Sequence, residues 1–306
     1  MITTPASLIT KAASKQTYYT IRFLVDRQRV DEAYRAYGYF RWMDDVLDAD
    51  SGSASERMVF LERQKSLLEI CYRGEMPRDA NIQETMLVEL VQHDQEKNSG
   101  LQAYLRNMMQ VMDFDAKRRG RLISQLELNE YTHWLATAVT EALHHFIGRG
   151  EYTPHDERRY LAVSAAHITH MLRDTFEDAQ VGYTNIPLEV LEANHIGPQD
   201  TLSDAYRDWV KSRVLLAREY FKAGKDYFAQ VQNPRCRLAS LAYIARFEWL
   251  LDTMGREGYF LRPQYNERKS LATGLRMSWL TFSSMINLRG MGALPQSDVS
   301  HPLRKL

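Results

Sequence analysis

Cysteine is nearly absent from this sequence: the two residues, Cys71 and Cys236, are far apart and outside any Cys-x-x-Cys spacing. That argues against a disulfide scaffold and a thiolate zinc centre, and it fits a reducing compartment. An excess of one charge is also lacking, since Lys+Arg and Asp+Glu both number 39. A chain with zero net charge has no general field for steering a polyanion, so no nucleic acid partner is expected and any charge chemistry must be local. Residues 1–15 contain no continuous apolar run of the signal-peptide kind. The longest greasy stretch, Leu271–Leu288, is interrupted by Arg276 and Asn287. It is too polar for a bilayer span and reads as a packed helix, with contact at a membrane surface as the alternative. The expectation is a cytoplasmic protein, soluble or associated with a membrane at its periphery. Oligomeric state is left open.

Proline (9) and glycine (15) are scarce in 306 residues. They gather at Ser51-Gly52-Ser53, Asn98-Ser99-Gly100, Gly148 to Pro154, Gly197-Pro198 and Asn233-Pro234, which read as breaks between helices. The stretches between have i, i+3, i+4 apolar spacing, as in Leu215, Leu216, Tyr220 and Phe221, continuing to Tyr227 and Phe228. Ser53-Ala54-Ser55-Glu56 has the form of a helix start, and Thr153-Pro154 can open the helix leading to Tyr160. No hairpin dipeptides flank alternating runs. The pattern predicts an all-α fold of about nine or ten helices in one domain over residues 1–306, with 290–306 as a tail.

Within this pattern stand two acidic helices. Tyr37, Arg41, Asp44 and Asp48 are spaced by four, three and four residues, so all share one helical face. Asp45 lies about 100° around the same helix. In the run HITHMLRDTFED, His167, His170, Asp174 and Asp178 repeat the arrangement with spacings of three, four and four. Either run alone reads as a solvated acidic face. Both, however, sit among apolar residues such as Phe40, Met43 and Leu47, or Ile168, Met171 and Leu172. If four carboxylates converge in a cleft, each pair at ~6 Å and an effective dielectric near ~20 costs roughly 3 kcal/mol. Several such pairs would rival the roughly 5–15 kcal/mol that stabilises a domain. Hard divalent cations with oxygen ligands would relieve that cost, and Mg²⁺ is usually shared between a few carboxylates and substrate phosphates. Two such helices facing one cavity therefore predict a Mg²⁺–diphosphate site.

Four segments, in order, resemble the squalene/phytoene synthase family of head-to-head isoprenyl diphosphate synthases, from about residue 13 to about residue 190. They are Ser14-Lys15-Gln16-Thr17-Tyr18-Tyr19; Ala36-Tyr37 through Arg41 to Asp44-Asp45 and Asp48; Met112-Asp113-Phe114-Asp115 with Glu127-Leu128 and Tyr131 to Gly148; and Leu172-Arg173-Asp174 through Glu177-Asp178 to Gly182 and Ile186-Pro187-Leu188-Glu189. The last is the most specific. The resemblance implies an all-α isoprenoid synthase bundle with a central cavity, and condensation of two farnesyl or geranylgeranyl diphosphates to a squalene- or phytoene-type hydrocarbon.

By the same resemblance, Asp44, Asp48, Asp174 and Asp178, with Asp45 and His170 beside them, are the candidate ligands of Mg²⁺ or Mn²⁺. Ser14, Lys15, Arg41, Arg173 and His170 are candidates to hold diphosphate oxygens, while Arg41 and Tyr37 join the aspartates as candidate catalytic residues. Tyr18, Tyr37, Phe40, Trp134 and Phe247 are candidate lining for a dry pocket around an allylic cation, beside an ordinary core-packing reading. NADPH is not indicated, since no Gly-x-Gly-x-x-Gly occurs, though in an all-helical fold that absence decides little. The chain departs from the family at His167 and His170, at Thr137 and Thr140 in place of two glycines, and at Tyr183 after Gly182. These departures leave a terpene cyclase that ionises one diphosphate as an alternative. Glu130-x-x-His133 and Glu141-x-x-His144 admit a di-iron bundle as a different class of reading, although both motifs fall on one predicted helix. A non-catalytic assembly factor is a further alternative, against which the retained aspartates argue.

Overall fold

A computed structural model describes residues 4–49 and 53–265. Among them are eleven α-helices and no strand. The expected segment 271–288 and tail 290–306 lie outside the described residues. The helices are α1 (Pro5–Ala13), α2 (Lys15–Leu24), α3 (Val30–Asp48), α4 (Ala54–Tyr72), α5 (Glu84–His93), α6 (Gly100–Arg118), α7 (Gln125–Phe146), α8 (Arg158–Gln180), α9 (Leu188–Asn194), α10 (Asp204–Gln230) and α11 (Pro234–Arg256).

Most helix starts follow from capping. Ser53 and Glu56 form a reciprocal capping box, as do Ser124 and Glu127. Ser99, Ser203 and Asn233 each accept a backbone N–H at the first turn of their helices. The helix expected to open at Thr153-Pro154 instead begins at Arg158. The Pro154 carbonyl accepts a hydrogen bond from the Tyr227 hydroxyl at 3.2 Å, and Asp156 Oδ1 accepts from the Arg158 N–H at 2.9 Å. The proline thus anchors a loop, and the helix starts after it.

Helix α8 packs against α7, α10 and α11, while α3 packs against α1, α5 and α6. Gly224 lets α10 approach α8 closely, because a Cβ there would lie 2.7 Å from that of Ala162. Behind α3, the Tyr39 hydroxyl donates to Gln64, and Gln64 and Arg63 both donate to Glu84. The Arg63 hydrogen bonds first, then those from the Asn81 N–H and Gln64, hold the Glu84 carboxyl down at about 2 against the effect of burial. That buried network fixes α3 from the rear and leaves its other face for the cavity.

Candidate active site

One cavity of about 630 Å³ lies between α2, α3, α6, α7 and α8, with Tyr243 of α11 at its edge. Its volume falls within the roughly 300–1,000 Å³ usual for ligand pockets. Helical periodicity accounts for its lining. On α3, Ala33, Ala36, Tyr37, Phe40, Arg41 and Asp44 fall on one stripe; on α6, Tyr104, Met108, Val111, Met112 and Asp115 do the same. Both stripes run from apolar early turns to a carboxylate in a late turn. The cavity is therefore greasy along most of its length and acidic at one end.

Asp44 and Asp115 line that end. Asp48, Asp174 and Asp178 do not line the cavity but belong to the same electrostatic set. Burial, then Asp48, raises the Asp44 carboxyl to about 6, with Asp115 and Asp45 adding to the rise. Burial also raises Asp178 to about 6, opposed by a hydrogen bond from Asn185 and reinforced by Asp174 and Asp115. Asp48 and Asp115 are raised by burial as well, Asp48 against Arg119 and Arg41 and Asp115 against Arg118 and the Tyr131 hydrogen bond. Asp115 thus links the α3 wall to the α8 wall. It was not among the expected site residues.

Arg118 is a second such residue. It is a cation only 6% exposed, and its guanidinium donates to Asp115 Oδ1 at 2.7 Å and to Asn185 Oδ1 at 2.9 Å. The guanidinium also lies 4.7 Å from the Tyr183 ring centroid and 5.0 Å from that of Tyr131. Asn185 passes the contact on, donating to Asp178 at 2.6 Å. The Tyr131 hydroxyl donates to the other Asp115 oxygen at 2.8 Å, and burial keeps it protonated well above its ordinary range. Gly182, with φ of +92°, ends α8 and accepts the Gly120 N–H at 2.8 Å, which draws the α6–α7 turn against the acidic end. The Asp115–Arg118 spacing of three residues was the sequence signal for this pair, since it places both on one face.

Arg41 donates to Asp44 at 3.1 Å and also pairs with Asp45, while Arg173 makes two 2.5 Å bonds to Asp174. Both candidate diphosphate-binding arginines therefore hold carboxylates here. Ser14 caps α2 by accepting the Thr17 N–H, and Lys15 is exposed. Neither lines the cavity; Thr17 and Thr20 do. His170 lines it and meets Phe247 edge-on at 5.3 Å. His167 is buried against Tyr131, and burial lowers it to about 3, so it is a neutral core residue.

Of the five candidate aromatics, Tyr37 and Phe40 line the cavity. Tyr18, Trp134 and Phe247 do not; they pack on Tyr34, Phe114 and Phe221 respectively. Thr137 and Thr140 also lie off the lining face of α7, which presents Tyr131, Leu135, Val139 and Ala142. Thr140 instead bonds the Arg159 carbonyl at 3.4 Å. Glu130, His133, Glu141 and His144 all share α7, as expected. Glu141 is engaged by Arg159 and Tyr160, and His144 by Tyr227, so these two are structural, while Glu130 and His133 are exposed.

The sequence profile of the squalene/phytoene synthase family matches residues 10–272. This chain belongs to that family. Its members are prenyltransferases, and the retained acidic helices fit that class. A presqualene diphosphate synthase of Rhodopseudomonas palustris is 28% identical over 176 residues, spanning 57% of this chain and 59% of that relative. A presqualene diphosphate synthase of Zymomonas mobilis is 25% identical and spans 82% and 84%, and a 15-cis-phytoene synthase of Synechocystis is 24% identical and spans 87% and 81%. A solved dehydrosqualene synthase, in complex with a ligand, shares the fold with a TM-score of 0.70 at 19% identity, covering 93% of this chain and 95% of its own. Squalene synthase HpnC from Alicyclobacillus acidocaldarius does so with a TM-score of 0.66 at 17% identity, covering 84% and 94%. The family's all-α isoprenoid synthase fold is thus the fold observed.

Proposed function

We propose that this protein condenses two isoprenyl diphosphates, farnesyl or geranylgeranyl, head to head in a Mg²⁺-dependent reaction that releases diphosphate. The observation that carries the reading is the grading of one cavity, from apolar depth to an end where Asp44, Asp115 and Arg41 meet. That shape suits a molecule with a hydrocarbon tail and an anionic head.

The donor set fits a hard dication. Two of its carboxyls are pushed up to about 6, by burial first and by neighbouring carboxylates second, and a bound dication would relieve both. Among the described residues no three His, Cys, Asp or Glu side chains form a group that could hold a metal ion by themselves. A Mg²⁺ ion here would therefore take its remaining ligands from water and substrate phosphates. Asp44 and Asp48 would hold the ion from α3 and Asp174 and Asp178 from α8, at the acidic end of the cavity, with Asp45 and His170 as further candidates and Mn²⁺ as the substitute. Bound there, the ion supplies Lewis-acid stabilisation of the departing diphosphate.

The chain's own residues do the rest. Arg41 and Arg173, which hold carboxylates here, would turn their planar forks to phosphate oxygens once those carboxylates take the ion. Phe40 and Tyr37 face the space in which an allylic cation would form, and the apolar stripes of α3, α6 and α7 exclude water from it. Tyr131 stays protonated and fixed on Asp115. The reading ends at diphosphate release and needs no NADPH.

The relatives include presqualene diphosphate and phytoene synthases, so a cyclopropyl diphosphate and a hydrocarbon are the products to distinguish. The cyclase reading is retained because His170 lines the cavity. Incubation with farnesyl or geranylgeranyl diphosphate and Mg²⁺, followed by mass analysis of both aqueous and organic phases, tests all three. A product with twice the prenyl carbon supports condensation. A product containing only one prenyl unit would sink it.

A further inference from the structure

Helix α2 is ten residues long and forms one wall of the cavity through Thr17, Thr20 and Ile21. Its opposite face carries Lys15, Tyr19, Arg22 and Phe23, all exposed. The periodicity is clean: the two sets lie on opposite sides of a 3.6-residue helix. Phe23 is 66% exposed and Tyr19 49%, and their rings stack at 6.0 Å. Arg22 lies 5.9 Å from the centroid of Phe23, and Lys11 lies 5.5 Å from that of Tyr18, which in turn touches Tyr19. Paired exposed aromatics ringed by cations are unusual on a surface that has no partner.

The charge of this region is as one-sided as the whole chain is balanced. Residues 4–25 contain Lys11, Lys15 and Arg22 and no Asp or Glu. Among the described residues none of the three cations forms an ion pair. An acidic partner surface with an apolar layer beneath it satisfies both features, since cations meet headgroups while aromatic rings sink to the acyl boundary. A purely apolar partner would leave the cations without counter-charge.

We propose that the outer face of α2, with Lys11 of α1, docks this protein on an anionic lipid bilayer. The wall that touches the membrane is then the wall that encloses the cavity, so a greasy product would have one helix to pass. That purpose rests on the reading of the cavity given above, whereas docking itself does not.

The test uses the full chain and no substrate, so its failure leaves the proposed reaction untouched. Sedimentation with vesicles of phosphatidylcholine plus phosphatidylglycerol should carry the protein down, and vesicles of phosphatidylcholine alone should do so weakly. Binding should fall in ~1 M salt, where the screening length is about 3 Å. The Tyr19→Ser, Phe23→Ser double variant should bind at least about tenfold more weakly. Cys71 and Cys236 are buried, so a Phe23→Cys variant offers one accessible thiol for an environment-sensitive dye. Its emission should shift to the blue only when anionic vesicles are added. An emission already blue without vesicles would mean that another part of the chain or a second copy covers the face, and it would overturn the proposal. Undiminished vesicle binding by the double variant would overturn it equally.

Discussion

Arg118 on α6 donates to the side-chain carbonyl of Asn185 at 2.9 Å, across 67 residues of sequence. Asn185 donates to Asp178, and Arg118 also holds Asp115, so one buried cation serves both acidic walls. Removing one partner of a buried ion pair leaves a charge without compensation and costs about 3 kcal/mol. Arg118→Gln should therefore lower stability by about that amount in urea unfolding at pH 8. The loss should shrink as pH falls, because burial raises the Asp115 carboxyl and its protonation removes the orphaned charge. Arg118→Lys should keep most of the stability yet lose activity, since an ammonium cannot reach Asp115 and Asn185 together. A pH-independent loss in Arg118→Gln would show that packing on Tyr131 and Tyr183, not charge, is what matters.

Asp44 and Asp178 carry raised carboxyls, both at about 6 against an ordinary value of 3.8. The folded state binds their protons more tightly than the unfolded state does, so it gains stability as pH falls through 6 toward 3.8 and loses it as pH rises. The metal-free protein should thus melt higher near pH 5 than near pH 8. Asp44 is partly exposed, so screening reduces the effect, and Asp44→Asn should raise stability at pH 8 by about 1 kcal/mol only. A melting temperature that rises steadily from pH 5 to pH 8 would refute the assignment.

Metal removal gives a direct check on the proposed ion. EDTA should abolish diphosphate release, and Mg²⁺ or Mn²⁺ should restore it. Asp44→Ala and Asp174→Ala should each cut turnover by at least about a hundredfold while leaving the helical circular dichroism intact. Full turnover in metal-free buffer would end the reading.

Arg41 is half-exposed and bonded to Asp44 and Asp45 on its own helix. If those contacts were its whole role, Arg41→Lys would change stability by roughly 0.5 kcal/mol or less and leave kinetics alone. A diphosphate clamp requires the fork. The expected result is a KM raised by about tenfold, read from initial rates against prenyl diphosphate concentration.

His170 lines the cavity beside Tyr243 and packs on Phe247. His170→Asn keeps a polar group of smaller size there and should preserve Mg²⁺-dependent diphosphate release. A changed product spectrum in this variant, read by mass analysis of the extract, would assign His170 a part in steering the cation after ionisation.

Local sequence carried what helical periodicity can carry. The spacing of Tyr37, Arg41, Asp44 and Asp48 dictates a shared face whatever surrounds it, and Ser53 with Glu56 or Asn233 before Pro234 marks a helix start by backbone chemistry alone. The four ordered segments were enough to indicate the family and hence the fold. What periodicity cannot say is which helix a face meets. Trp134 and Phe247 became core packing, and Val139 and Leu143 cavity wall, only when α7 and α11 took their neighbours. Likewise Asp115 and Arg118 read locally as an i, i+3 ion pair; the contact with Asn185 that joins them to Asp178 exists only because α8 ends at Gly182 against the α6–α7 turn. Burial raises Asp44 and Asp178 for the same reason: desolvation is a property of the assembled surroundings, and no spacing along one helix contains it.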